Sequence, residues 1–275
     1  MHHQSNYQRH VWLLTGTGDG FRLAQGFVEK GWGVTVSVVT PNAALPYSEL
    51  PLEHLSVGPL CGVGKIKEFI LRAASSNRRF DFVVDATHPF AEIISSDLKK
   101  ACSEIQQPLL RFERPLADSS DAIIFNSFTE LSSRALHGKN LLLALGSRHL
   151  SEAVDAASSA GANVFARVLP TSESLRYALA SGIKETHIAV LRPFQGDQSG
   201  AFEASLCKRW SISHVVCRQS GGLIEDLWNG ICKKQKLCLW MLARPSSSSS
   251  VEMVYSWEEL LARTSCSEGR KSSTF

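Results

Sequence analysis

The chain has 275 residues, 44% of them hydrophobic and 20% charged, the make-up of a packed globular protein rather than a disordered or fibrous one, at a length that fits two α/β domains of ordinary size. A net charge of +3, with Lys and Arg scattered among acids, lacks the basic stripe of a nucleic-acid binder, so nucleic acid is set aside as a partner. No apolar run approaches the roughly 18 residues of a membrane-spanning helix, which sets a membrane aside as well.

The start Met1-His2-His3-Gln4 has neither a charged n-region nor an apolar h-region, and the seven cysteines form no C-x-x-C pair. They read as free thiols of a cytoplasmic protein that binds no metal through them. Residues 1–9 are expected to be disordered. Apolar, β-branched runs at Val11–Thr15, Gly33–Val39, His54–Val57, Phe80–Asp85 and Leu109–Phe112 suit strands buried on both faces. Helical patterns at Phe21–Lys30, at Val63, Ile66, Phe69, Ile70 and Ala73, and at Phe90–Ile105 fall between them, the rhythm of a parallel sheet. This first domain is expected to span 10–118.

A second series follows over 119–264, with strands expected at Ala122–Phe125, Leu141–Leu145, Asn163–Arg167, His187–Leu191, Val215–Cys217 and Leu237–Leu242. Leu223, Ile224, Leu227, Trp228 and Ile231 supply its clearest amphipathic helix. Ser246–Ser250 reads as a flexible connector, Ser256–Thr264 as a closing helix, and Ser265–Phe275 as a disordered tail. The two halves share a rhythm, but no internal repeat is visible in the sequence.

Directly after the first strand stands Thr15-Gly16-Thr17-Gly18-Asp19-Gly20. A Gly-rich turn opening a helix can bring backbone N–H groups and the helix dipole against a phosphate, or it can mark only a tight turn. The second strand ends in Ser37-Val38-Val39-Thr40, with no acid to hold a ribose 2′-hydroxyl, which suits a 2′-phosphate and hence NADPH. The fourth strand runs into Asp85-Ala86-Thr87-His88-Pro89-Phe90-Ala91 at the carboxyl edge where ligands bind. These residues could equally cap the next helix and turn the chain.

The segment Val83-Val84-Asp85-Ala86-Thr87-His88-Pro89-Phe90-Ala91, followed by Leu110-Arg111-Phe112-Glu113-Arg114-Pro115, resembles the signature pair of precorrin-6A reductases. Further matches follow in the family's order: Leu14 to Ala24, Leu145-Gly146-Ser147, Ala166-Arg167-Val168-Leu169-Pro170, Arg192-Pro193-Phe194, Ser220-Gly221-Gly222 and Arg244-Pro245. The resemblance covers residues 11 to 263. It implies two Rossmann-like, doubly wound parallel-sheet domains facing across a cleft, and NADPH-dependent reduction of one double bond of precorrin-6A or cobalt-precorrin-6A in cobalamin biosynthesis. It also implies a cofactor held through Gly16, Thr17, Gly18 and Asp19, with Ser37 and Thr40 at its 2′-phosphate end and Asp85, Ala86, Thr87, His88 and Pro89 lining the nicotinamide. Transfer of the tetrapyrrole to or from neighbouring corrin-pathway enzymes is a further expectation.

Such a macrocycle is edged with carboxylates, which need cationic partners, and the planar fork of arginine pairs them bidentately. Arg111, Arg114, Arg167, Arg192 and Arg218, with Ser220 and Gly221, are the expected substrate contacts, and Arg244 stands in a similar place. Some of these arginines could instead cap helices or bridge domains. For the proton, His88 is the candidate donor because it titrates near neutral pH, with solvent as the alternative. The chain departs from the family at Thr15, Gly20, Leu191-Arg192 and Cys217-Arg218-Gln219. Another NADP-dependent oxidoreductase and a non-catalytic nucleotide-sensing module are the competing readings.

Overall fold

The computed structural model describes residues 7–76, 78–116, 121–192, 200–246 and 251–265. The first half runs β1 (His10–Thr15), α1 (Asp19–Glu29), β2 (Gly33–Val38), α2 (Pro41–Ala44), β3 (His54–Val57), α3 (Val63–Ser75), β4 (Phe82–Ala86), α4 (Glu92–Glu104) and β5 (Leu109–Phe112). The chain continues through β6 (Ile123–Phe125), α5 (Phe128–Ser132), β7 (Asn140–Leu143), α6 (Leu150–Ser159), β8 (Asn163–Val168), α7 (Ser172–Ala180), β9 (Ile188–Val190) and α8 (Ala201–Arg209). It ends with β10 (His214–Arg218), α9 (Leu223–Gln235), β11 (Cys238–Leu242), β12 (Glu252–Val254) and α10 (Trp257–Ser265).

Every residue of β1, β2 and β4 is buried, as in strands covered on both faces, although in β2 the buried Thr35 and Ser37 alternate with Val34, Val36 and Val38. Helix α1 covers one face with Gly20, Leu23, Ala24 and Phe27, an i, i+3, i+4, i+7 stripe. It ends where Gly31 takes a positive φ of 74°, a conformation that costs a glycine little. Helix α4 starts at Glu92, two residues later than Phe90 as expected, because the segment from Thr87 to Ala91 is drawn into turns by Asp85 and His88.

All strand pairs are parallel, and they form two six-stranded sheets of order β3-β2-β1-β4-β5-β12 and β9-β8-β7-β10-β11-β6. The first is the doubly wound order in which strand direction of travel reverses between β1 and β4, a crevice where ligands bind. The second reverses in the same way between β7 and β10. The two units are Met1–Pro115 with Pro245–Phe275, and Leu116–Arg244.

This corrects the expected boundary at 118/119 and the assignment of the closing segment to the second domain. Strand β12, which no pattern announced, adds to β5 through Glu252↔Leu110, Met253↔Arg111 and Val254↔Phe112. Helix α10 follows it home: Trp257 meets Phe27 edge-on at 5.1 Å, and Leu260 is fully buried. Of the segment expected to be disordered at 1–9, residues 7–9 are placed, and Arg9 Nη1 donates to the Thr264 carbonyl at 3.0 Å. Residues 1–6, most of the serine connector (247–250) and the tail beyond Ser265 lie outside the described residues. Among the described residues, no helix is long and apolar enough to cross a membrane.

The sheets share more than their strand order. His10 faces Gly33 where Asn140 faces Asn163, Val11 faces Phe82 where Leu141 faces His214, and Val83 faces Leu109 where Val215 faces Leu239. At the far edge, Leu110 faces Glu252 where Trp240 faces Ile123. The second unit therefore repeats the first in register, an internal duplication that the sequence does not display. Its sixth place is filled by the strand that enters the unit, β6, whereas the sixth place of the first unit is filled by β12, at the chain's return.

Candidate active site

The site begins at the turn between β1 and α1, where three glycines do three different things. A Cβ on Gly16 would stand 3.3 Å from the His88 amide, so the turn lies directly against the chain leaving β4. Around Gly18 there is open space, and α1 begins there with no side-chain cap, leaving its first N–H groups for an acceptor. A Cβ on Gly20 would meet Thr15 Cβ at 2.5 Å and the Tyr47 hydroxyl at 2.6 Å, so glycine lets the helix approach the strand. These are the roles of the glycines of a dinucleotide turn, close approach, phosphate cradle and helix–strand packing, and the residues fit a nicotinamide dinucleotide.

Asp19 puts a carboxylate at the same helix N-terminus, where it favours the dipole but would repel a phosphate. Its charge is met by Arg114, which pairs with it through Nε, and the Thr17 hydroxyl donates to it at 3.3 Å. Arg114, expected at the substrate, is thus tied to the glycine turn. Ser37 is buried and accepts the Trp12 indole N–H at 2.8 Å, so its hydroxyl belongs to the core rather than to a 2′-phosphate. Thr40 stands beyond the end of β2 as the N-cap of α2, accepting the Ala43 N–H at 3.3 Å. Tyr47, which carried no sequence signal, is buried over this turn and donates to Thr15 Oγ1 at 3.1 Å; burial raises its phenol pKa, and the Thr15 bond opposes that rise.

The loop after β4 is held from below by a buried ionic cluster. Arg111 Nη1 lies 2.7 Å from Asp85 Oδ2 and donates to Thr87 Oγ1 and Ser95 Oγ at 3.0 Å each, while its Nε faces Glu113 at 3.5 Å. Asp85 Oδ1 accepts the Thr87 amide at 3.0 Å and the Thr87 hydroxyl at 2.7 Å. Asp85 is 2% exposed and Arg111 6%, and their bonds to Thr87 and Ser95 fix the shape of the 86–91 loop. Glu113 and Ser95 complete the cluster, and only the strand register that sets Arg111 opposite Asp85 could have revealed it.

Ala86 ends β4, and Thr87, His88 and Pro89 are half-buried beside Gly16. His88 Nδ1 accepts the Phe90 N–H at 3.2 Å. A cavity of about 260 Å³ opens beside this loop, lined by Asp85, Pro89, Glu92, Ser95, Lys99 and Arg111 among others.

In the second unit Arg167 faces Glu203 across 3.7 Å, longer than a hydrogen bond. Arg167 Nε and both Glu203 carboxylate oxygens are buried without a hydrogen-bond partner. Burial lowers the guanidinium pKa and Glu203 pulls it back up. Arg192 is exposed just beyond β9, and the Pro193-Phe194 that follows lies outside the described residues. Arg218, half-buried at the end of β10, has Nη2 3.4 Å from the Cβ position of Gly146. Ser220 is buried, Gly221 donates its N–H to Glu225 at 2.7 Å, and Arg244 Nε reaches the Gln219 carbonyl at 3.5 Å.

The buried cysteines Cys102, Cys207 and Cys232 carry no nucleophile for this chemistry. Burial pushes the Cys102 and Cys232 thiols up to about 12 and Cys207 up to about 11, with the nearby charges of Asp85, Cys207 and Glu203 adding to the respective rises. Each remains a neutral thiol at physiological pH.

The family described as precorrin-6x reductase CbiJ/CobK matches residues 10–265. The cobalt-precorrin-6A reductase of Synechocystis sp. is 32% identical over 216 residues, covering 77% of this chain and 78% of that protein. The precorrin-6A reductase of Mycobacterium tuberculosis is 27% identical over 246 residues, covering 89% and 92%. The solved structure of CobK precorrin-6A reductase superposes with a TM-score of 0.72 at 20% identity, covering 94% of this chain and 97% of that one, a likeness of fold.

Proposed function

The chain belongs to the precorrin-6x reductase family, and from that premise we propose that it uses NADPH to reduce one double bond of precorrin-6A or cobalt-precorrin-6A in cobalamin biosynthesis. It is an oxidoreductase whose substrate is a tetrapyrrole. The observation that carries the reading is the pairing of a three-glycine turn on β1 with a rigidly braced loop on β4, on either side of the first sheet's switch point. NADPH rather than NADH is favoured by the end of β2, where Val39 and Thr40 offer no acid to a ribose 2′-hydroxyl. Of the seven cysteines, the six among the described residues are free thiols, four of them buried, which supports a place in the reducing cytoplasm.

When bound, the nicotinamide supplies the hydride, and a proton completes the addition. The chain's own residues orient the reactants. Gly16 and Gly18 admit the pyrophosphate to the N-terminus of α1, and Thr17, Asp19 and Arg114 hold that turn in shape. Asp85, Arg111 and Glu113 brace the loop of Ala86, Thr87, His88 and Pro89 beside the nicotinamide, so that geometry rather than acid strength does most of the catalysis. His88, in its imidazolium form, is the donor this reading assigns, the bond that Nδ1 accepts from the Phe90 N–H being given up when Nδ1 is protonated.

The reading is tested by anaerobic NADPH oxidation at 340 nm with precorrin-6A and cobalt-precorrin-6A in parallel and NADH as control. Turnover of either form with NADPH is expected, and NADPH binding without turnover of either would overturn it. In His88→Ala, turnover should fall at least about a hundredfold while the NADPH Kd holds; wild-type turnover would return the proton to solvent.

A further inference from the structure

The chain between β2 and β3 is thinly anchored. Val39, Leu45 and most of α2 are exposed, α2 buries no residue, and in the 3-10 turn that follows it, Leu45–Tyr47, the one buried residue is Tyr47. Among the described residues, the other hydrogen bonds of this stretch close within residues 40–50: the Ala43 N–H on Thr40, the Ser48 N–H and hydroxyl on the Leu45 carbonyl, and the Leu50 N–H on the Tyr47 carbonyl. The Tyr47 hydroxyl is different, because it leaves the stretch and donates to Thr15 Oγ1 at the end of β1, 3.1 Å away. Its ring meets Phe21 of α1 edge-on at 5.9 Å.

Both partners of this bond are buried, Tyr47 at 4% exposure and Thr15 at 5%, so neither hydroxyl has water to fall back on. Room for them comes from Gly20, whose Cβ would stand 2.5 Å from Thr15 Cβ and 2.6 Å from the Tyr47 hydroxyl. The glycine turn has further supports of its own, since Thr17 and Arg114 hold Asp19 and Gly16 lies against the His88 amide. What the Tyr47 bond holds is therefore the stretch after β2. In a doubly wound sheet that stretch, about 20 residues beyond the glycine turn, meets the ribose whose 2′ substituent distinguishes the two nicotinamide dinucleotides.

We propose that Tyr47 is a positioning residue for cofactor choice: its bond to Thr15 fixes residues 39–47 against the glycine turn and so sets the discrimination between NADPH and NADH. It rests on the NADPH reading of the function above and adds to it the residue that holds the 2′-phosphate end in place. Tyr47 acts through the stretch it anchors and not on a reacting atom. The turn serves both nucleotides and keeps its other supports, so loss of the bond is felt at the 2′-phosphate end.

The variant Tyr47→Phe keeps the ring and removes the bond. In a fluorescence titration its NADPH Kd should rise about fivefold, the scale of one hydrogen bond, while its NADH Kd stays that of the wild type. Thr15→Ala, which removes the bond from the other side, should give the same shift, the double variant no more than either single one, and Thr15→Ser, which restores a hydroxyl, the wild-type value. A rise shared by both nucleotides is what a merely structural loss produces and overturns the proposal, as does no change in either. If the wild type binds neither nucleotide, it is the functional reading that fails, and the anchor is then read by hydrogen exchange. The amides of Ala43, Ser48 and Leu50 should exchange about fivefold faster in Tyr47→Phe with those of α1 unchanged; equal rates in both proteins overturn it.

Discussion

The two units of this chain are one architecture with two sets of side chains. Where the first has the buried cluster Asp85, Arg111 and Glu113, the second has Cys217, Met241 and Ala243 at the corresponding strand positions. Cys217 and Met241 sit fully buried in an apolar cluster with Val215, Trp228 and Leu239. At these strand positions the second sheet is held by apolar packing, and a buried ionic cluster is in any case weak evidence for stability. The cluster in the first unit is then explained by what it supports, the 86–91 loop beside the glycine turn, and not by the fold.

The largest effect follows from breaking that cluster halfway. Arg111→Ala leaves Asp85 buried without the guanidinium that pairs with it at 2.7 Å, and should cost about 3–5 kcal/mol in urea unfolding. Installing the second unit's residues together, Asp85→Cys, Arg111→Met and Glu113→Ala, should bring stability back to within about 1 kcal/mol of wild type while NADPH oxidation stays lost. Recovery of turnover along with stability would show that the cluster does nothing for the loop.

The units also differ in how they meet alkaline solution. The second buries Cys207, Cys217 and Cys232, the first only Cys102 among the described residues. Each of these thiols has its pKa raised, chiefly by burial. A thiol kept neutral in the fold but free to ionise near pH 9 when unfolded contributes stability below pH 9. That stability falls as pH rises toward the folded values, about 11 for Cys207 and about 12 for Cys102 and Cys232. At pH 10 the loss is about 1.4 kcal/mol per thiol, so the second unit should lose about 3 kcal/mol more than the first. Pulsed alkylation in rising urea, read thiol by thiol at pH 8 and pH 10, should show the second unit's cysteines opening earlier at the higher pH. A common shift for all four would sink the idea.

How far this was legible in the sequence depended on whether a residue's meaning is local. The strands β1 and β4 stood out because strands covered on both faces carry largely apolar runs, β2 because of its β-branched residues, and the glycine turn because it joins a strand to a helix. Strand β12 was hidden: three residues beyond a serine run carry no period, and nothing local tells which sheet edge they extend. The arginines were legible as positions at strand ends but not as directions. Arg111 points inward because the β4–β5 register sets it opposite Asp85, and Arg114 turns back to Asp19; both partners are distant in sequence. The duplication was invisible for the same reason, since it lives in pairing register and only scattered identities such as Gly16 and Gly146, or Arg114-Pro115 and Arg244-Pro245, survive.

The smallest change sharpens the contrast most. Gly18 has φ −63° and ψ −17°, helical values that any residue adopts, and its Cβ would meet nothing within 4 Å. Glycine is therefore needed here neither for backbone conformation nor for packing, unlike Gly20. What remains is the space itself, through which a pyrophosphate reaches the N–H groups of α1. Gly18→Val should leave Tm within about a degree of wild type, since surface substitutions of this kind change stability by less than about 0.5 kcal/mol, and should raise the NADPH Kd about tenfold or more by holding the phosphate off the helix. The two numbers come from a thermal melt and a fluorescence titration of the same sample. An unchanged Kd would mean that the nucleotide does not use this turn.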